Sequence, residues 1–169
     1  MDANALRALQ APLKERYKQD PDAALVTLKA QGAIDDARVA CKVETGRALA
    51  IAGLHPATGG TGAEICSGDM LLEALVACAG VTLKAVATAL EIPLRAGTVR
   101  AEGDLDFRGT LGVDRAAPVG FRAIRLAIEL DTDAPQDKLD ALLKLTERYC
   151  VVFQTLAHKP ELAMKVTRG

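Results

Sequence analysis

The stretch from Ser67 to about Glu91 sets the strongest limit on what this chain can fold into. Leu71, Leu75, Cys78, Thr82 and Val86 recur at helical steps, and Leu72, Val76, Ala79, Leu83 and Leu90 widen that stripe over most of a helix circumference. Ser67 reads as the N-cap, and Asp69 falls in the first turn, where the helix dipole favours an acid. A helix apolar on so many sides has to be covered nearly all round. In a chain of 169 residues it therefore lies at the centre, under a sheet, other helices or a second subunit.

The flanking segments supply covers of both kinds. Val99, Ala101, Gly103, Leu105 and Phe107 alternate with Arg100, Glu102, Asp104 and Asp106, and Ile124, Leu126, Ile128 and Leu130 alternate with Arg125, Ala127, Glu129 and Asp131. Each run predicts a strand with one buried and one wet face, and the intervening loop suits an antiparallel connection. Asp133-Ala134-Pro135 opens a helix whose Leu139, Leu143, Thr146 and Cys150 share a face, with Leu142 beside them. A short helical turn around Val152–Leu156 and a terminal strand around Met164–Val166 complete the chain.

Upstream, residues 25–31 alternate as a strand, and Val39, Cys41 and Val43 pair with a run holding Leu49 and Ile51 as a hairpin. Cys41 reads as a small strand core residue. Residues 3–19 form an amphipathic helix stopped by Asp20-Pro21. The glycine-rich loop over 53–62 lacks Gly-Lys-Ser/Thr and the spacing of a dinucleotide fingerprint, so it reads as a lead into the long helix and not as a phosphate cradle. The sum is an α+β domain over 21–169 with an appended helix over 1–20.

Lys and Arg total 21 against 22 Asp and Glu, without a basic block, so neither nucleic acid nor a membrane surface is an expected partner. Aromatic residues make up 3%, which removes stacking platforms for bases or sugars. The amino terminus has no basic start followed by an apolar run, and no stretch is long enough to span a bilayer, so a cytosolic protein is expected. In that compartment the four cysteines, Cys41, Cys66, Cys78 and Cys150, read as thiols or ligands and not as a disulfide framework. No CxxC pair occurs, and His55 and His158 are the only histidines, so a structural zinc site is not expected.

Cys78 and Cys150 stand apart because each lies on the apolar face of a different helix. If those helices pack side by side, the thiols can meet, as a disulfide needs Cα atoms within about 7 Å. Two such thiols suffice for a peroxidase in which one attacks peroxide and the other resolves the sulfenic acid. Periodicity alone equally allows two ordinary buried cysteines.

The segment Cys66-Ser-Gly-Asp-Met-Leu-Leu-Glu-Ala-Leu-Val-Ala-Cys78-Ala-Gly-Val-Thr-Leu83 resembles the first-cysteine helix of the OsmC/Ohr family, and Glu147-Arg-Tyr-Cys150-Val-Val-Phe-Gln-Thr-Leu156 resembles its second-cysteine motif. The resemblance implies an intertwined homodimer with antiparallel sheets wrapped around long central helices and active sites at the interface. It implies reduction of organic hydroperoxides or hydrogen peroxide, in oxidative-stress defence, with Cys78 peroxidatic and Cys150 resolving. A dithiol such as a dihydrolipoyl group would be the reductant, and neither metal nor flavin is called for.

The family's activating arginine and its glutamate have no exact counterparts here. Asp69, in the first turn of the helix, is the candidate acid, nine positions and so roughly 13 Å before Cys78 on the same helix. Arg47 and Arg38 are the arginine candidates, and Cys66 could resolve in place of Cys150. A noncatalytic dimer that binds a small hydrophobic ligand, or a thiol redox sensor, is the alternative function.

Overall fold

The computed structural model describes residues 2–19, 31–34, 40–44 and 49–168. An amino-terminal helix, α1 (Ala3–Gln19), opens at Asp2, whose carboxylate accepts from the Ala5 N–H at 2.7 Å, and it runs through Pro12. Next come β1 (Gln31–Ile34), β2 (Ala40–Glu44) and β3 (Leu49–Gly53), paired antiparallel in that order, with β2 and β3 forming the expected hairpin. A two-residue strand, β4 (Ile65–Cys66), joins β3 in parallel. The strand expected over 25–31 lies outside the described residues except for Gln31, which opens β1.

The long helix α2 spans Ser67–Ala89. Its N-cap position is Cys66, which offers no side-chain hydrogen bond, and Ser67 is the first helical residue, so the expected serine cap is corrected by one place. The chain remains extended through Cys66 because β4 is still paired with β3 there. At 23 residues, and with a mean hydropathy of 1.8 over its best window, α2 is long and apolar enough to cross a membrane. That overturns the expectation that no stretch reaches such a length. Its Leu75, Ala79, Leu83 and Ala87, one helical turn apart, are buried against the rest of the chain, as on a core helix.

The cover over that spine is a two-stranded antiparallel sheet and two helices. β5 (Ala96–Asp104) and β6 (Ala123–Asp131) pair from Ala96 opposite Asp131 to Asp104 opposite Ala123. Val99 and Ala101 on β5, and Ile124, Leu126, Ile128 and Leu130 on β6, turn toward α2. The wet face carries cross-strand ion pairs, Arg100 with Glu129 at 2.6 Å and Arg125 with Asp104 at 2.5 Å. Gly103 is required here: a side-chain carbon on it would stand 2.4 Å from the Phe121 ring.

The alternation that suggested a strand through Phe107 ends at Asp104. Asp106 instead accepts from the Arg108 N–H at 3.1 Å and caps a one-turn helix, α3 (Phe107–Thr110). The Phe107 ring stacks on His55 at 4.9 Å between centroids.

Helix α4 (Gln136–Tyr149) and the short α5 (Val151–Ala157) close the fold, both packed on α2. Leu142 and Thr146 are the buried residues of α4, and Thr146 satisfies its hydroxyl on the Leu142 carbonyl at 2.8 Å. Leu143, expected on the buried face, is 41% exposed. The inward line runs Leu142, Thr146, Cys150 in steps of four, which turns Leu143 to the edge. The terminal strand expected at Met164–Val166 does not form: residues 159–168 have no regular structure, and Leu162, Met164 and Val166 are exposed. Alternation without a neighbouring strand leaves the backbone no hydrogen-bonding partner.

Candidate active site

The core divides along α2. One cluster joins Leu83, Ala87, Ile92 and Leu142, and the other joins Leu75, Ala79 and Cys150, with Cys78, Val152 and Phe153 against it. The second cluster holds the thiol pair, 72 positions apart in sequence and packed together in the fold.

Each thiol is placed by a different device. Cys78 stands on the third turn of α2, one residue before the buried Ala79, and is half-buried. Cys150 is buried at the junction of α4 and α5, where the helix is broken for a single extended residue, φ −73° and ψ 106°. Its own N–H still donates to the Thr146 carbonyl at 2.9 Å, while its carbonyl accepts from the Gln154 N–H at 2.9 Å to start α5. The Gln154 side chain also donates to the Glu147 carbonyl at 2.9 Å, tying the two helices across the break.

That break supplies the electrostatics of the site. The first N–H groups of a helix have no partner within it, and those of Val151 and Val152 turn toward the Cys78 sulfur. Burial pushes the Cys78 thiol up. The Val152 N–H, the Cys150 thiol, the Val151 N–H and the Thr82 hydroxyl outweigh it, so the group lies below its ordinary value. Cys150 moves the other way: burial raises it, the Phe153 N–H opposes, and the thiolate character of Cys78 beside it raises it again. The arrangement favours one thiolate and one thiol that shares its proton with it.

Apolar space adjoins the pair. A cavity of about 170 Å³ lies beside Cys150 between Ala79, Ile128, Leu143 and Thr146. A larger one, about 310 Å³, shares Leu126 and Phe153 with it and extends along Leu75, Ile124 and Leu156 to Arg122.

Other sequence candidates sit elsewhere. Cys66 and Asp69 line a separate cavity of about 360 Å³ at the amino-terminal end of α2, with His55, Phe107 and Phe121. Twelve residues of helix put Cys66 roughly 18 Å from Cys78. Asp69 is exposed and faces that cavity, so the fold does not bring it to Cys78. Arg47 and Arg38 lie outside the described residues, and so does the side chain of Cys41. His158 ends α5 and is exposed. Among the described residues no group of three His, Cys, Asp or Glu side chains could hold a metal ion.

Sequence reasoning missed the donors to Cys78. Two are backbone groups, which leave no trace in residue type, and Thr82 reads in the periodic pattern only as a member of the apolar stripe. The signal that could have found it is its spacing, one turn beyond Cys78.

Comparison with known proteins agrees with this architecture. The family model described as OsmC-like protein matches residues 60–165. An OsmC-like protein from Mycoplasma pneumoniae superposes with a TM-score of 0.65 at 16% identity, covering 79% of this chain and 89% of that one. A Legionella pneumophila protein described as an organic hydroperoxide resistance protein OsmC, predicted redox protein and regulator of sulfide bond formation, gives 0.60 at 17% identity, covering 78% and 91%. The organic hydroperoxide resistance protein OhrB of Bacillus subtilis gives 0.52 at 18%, covering 78% and 93%. At those identities the structures carry the likeness of fold. No curated protein sequence matches the chain.

Proposed function

The chain belongs to the OsmC-like protein family, and from that premise we propose that it is a thiol-dependent peroxidase, with Cys78 as the peroxidatic and Cys150 as the resolving cysteine. The observation that carries the reading is the contact between the two thiols, with Cys78 lowered and Cys150 raised. The thiolate is the nucleophile in such chemistry, and a neighbouring thiol condenses with the sulfenic acid it forms.

The Cys78 thiolate attacks the terminal oxygen of ROOH. A sulfur–oxygen bond forms, the O–O bond breaks, and RO⁻ leaves to take a proton from solvent as ROH. The Cys150 sulfur then attacks the sulfenic acid, forming the Cys78–Cys150 disulfide and releasing water. A dithiol reductant, such as a dihydrolipoyl group, returns both thiols by exchange. The apolar walls beside Cys150 suit an organic hydroperoxide better than hydrogen peroxide.

The active form in this reading is a homodimer of a domain over 21–169, acting in the cytosol in oxidative-stress defence. The apolar surface around the pair supports it: Val81 is 73% exposed, Val151 68% and Tyr149 57%, all within a few residues of Cys78 or Cys150. Such a patch marks an interaction surface.

Stopped-flow consumption of cumene hydroperoxide with dihydrolipoamide tests the reading, comparing the wild type with Cys78→Ser. Loss of turnover in the variant is expected, and equal rates would overturn it. The two cavities that meet at Leu126 and Phe153 favour one second reading, a dimer that holds a small hydrophobic ligand without turnover. Native mass spectrometry showing a stoichiometric ligand, together with thiols inert to peroxide, would select it.

A further inference from the structure

The arginines along the β5–β6 sheet are paired, with one exception. Arg100 holds Glu129 at 2.6 Å, Arg125 holds Asp104 at 2.5 Å, and Arg95 lies against Asp131 and Asp133. Arg122 stands one residue before β6, and among the described residues its guanidinium forms no hydrogen bond or ion pair. Asp104 and Asp106 lie within its field, but Arg125 and Arg108 already hold them.

Its position is also out of pattern. Alternate residues of a strand share a face, and Ile124, Leu126, Ile128 and Leu130 carry the apolar face of β6 toward α2. Arg122 continues that alternation by one step, and its N–H donates to the Asp104 carbonyl at 2.8 Å, which ties its backbone to the end of β5. A charged side chain therefore stands where the pattern calls for an apolar one. It lines the cavity of about 310 Å³ walled by Leu75, Ile124, Leu126, Phe153 and Leu156.

We propose that this cavity binds a straight-chain alkyl carboxylate, with the acid group on Arg122 and the chain running along β6 toward the thiol pair. Four residues of strand separate Arg122 from Leu126, roughly 13 Å, and Leu126 and Phe153 also line the smaller cavity beside Cys150. Charge fixes the direction of the ligand. Glu147 lines the smaller cavity and repels an acid at the thiol end, whereas a guanidinium takes a carboxylate through two parallel N–H donors. Among the described residues Arg122 is the one charged group in the lining of the larger cavity, which matches a singly charged head better than a phosphate.

The site does not depend on peroxide chemistry. A carboxylate bound this way lays its chain over Leu126 and Phe153 next to Cys150, so under the reading of the preceding section it competes with the hydroperoxide. Arg122 is exposed, so water and salt weaken its attraction. The apolar walls supply most of the affinity, and the guanidinium supplies the selectivity for an acid.

The test is an amide NMR titration of the full chain with octanoate and, separately, with octanol, in the wild type, Arg122→Gln and Arg122→Lys. Octanoate is expected to shift the amides of Ile124, Leu126 and Phe153. Arg122→Gln should weaken octanoate about three- to tenfold and leave octanol unchanged, with Arg122→Lys between it and the wild type. Octanoate affinity unchanged in Arg122→Gln, an equal loss for both ligands, or shifts confined to the cavity at the amino-terminal end of α2 overturn the proposal. So does the absence of binding by octanoate. If Arg122→Gln does not fold, the salt dependence of the wild type decides: octanoate affinity that does not fall with added salt overturns it. Binding needs no peroxide, so a chain with inert thiols that still shows the Arg122 dependence would sink the functional reading and leave this site standing.

Discussion

Cys78 and Cys150 meet across the α2–α5 contact and are displaced in opposite directions, Cys78 below and Cys150 above its ordinary value. Cys78 is half-buried and Cys150 buried, so burial alone would raise both. The difference comes from the Val151 and Val152 N–H groups and the Thr82 hydroxyl, which favour charge on Cys78, whose charge then disfavours ionisation of Cys150. At pH 7, limited iodoacetamide should label Cys78 at least tenfold faster than Cys150, by peptide mass spectrometry. Replacing Cys78 with serine should then quicken labelling of Cys150, since its charged neighbour is gone. Labelling of Cys150 first would contradict the assignment of roles.

Cys66 offers an independent check on which thiols pair. It stands at the start of α2, roughly 18 Å along the helix from Cys78, far beyond the reach of a disulfide. One equivalent of hydroperoxide should give a Cys78–Cys150 link, and Cys66→Ser should leave both yield and rate within twofold of wild type. A Cys66–Cys78 link as the main product would require the long helix to open or a second chain to supply the thiol.

The long helix, the β2–β3 hairpin, the paired strands β5 and β6 and the break near Cys150 were all legible in residue pattern, because each follows from a periodicity or a turn residue. What was not legible depends on partners remote in sequence. Leu142 and Leu143 are adjacent and equally apolar, and only the packing of α4 on α2 decides which is buried. The Met164–Val166 alternation carries a strand signal but finds no strand to pair with in the described chain. The donors to Cys78 were hidden for the reason that two are backbone groups. A backbone N–H donor is the same whatever residue carries it, so no residue pattern marks it as an arginine would be marked.

Acid should weaken the loop that follows β5. Asp106 caps α3 and is held down to about 2, chiefly by its hydrogen bond from the Arg108 guanidinium, and the two lie 2.6 Å apart. Its folded value is below its unfolded one, so its stabilisation is complete above the ordinary carboxylate range and is lost as pH falls from about 4 toward 2. Asp106→Asn keeps a capping acceptor but removes the charge. The gap in urea midpoint between wild type and this variant should be widest at pH 6, shrink below about pH 4 and close only as pH falls through about 2. A gap constant with pH would show that the ion pair contributes nothing beyond the cap.

Leu142 is fully buried between α4 and α2, in contact with Leu83, Ala87 and Ile92. Truncation to alanine removes its contacts and leaves a cavity that close-packed neighbours fill only in part. Leu142→Ala is expected to cost about 2–5 kcal/mol in urea unfolding. Leu143→Ala, at an exposed edge of the same helix, should cost less than half as much. Equal costs would mean that the face of α4 is wrongly identified.

Val81 separates a monomer from a dimer. At 73% exposure, one turn past Cys78, it makes few contacts within its own chain. A surface substitution of that kind changes stability by about 0.5 kcal/mol or less when nothing covers it. If the apolar patch of Val81, Val151 and Tyr149 is the face on which a second copy packs, Val81→Asp places a charge in a dry interface. Sedimentation velocity at micromolar concentration should then show two copies for the wild type and one for the variant. A wild type that sediments as one copy, or a variant still paired, would remove that face from the interface.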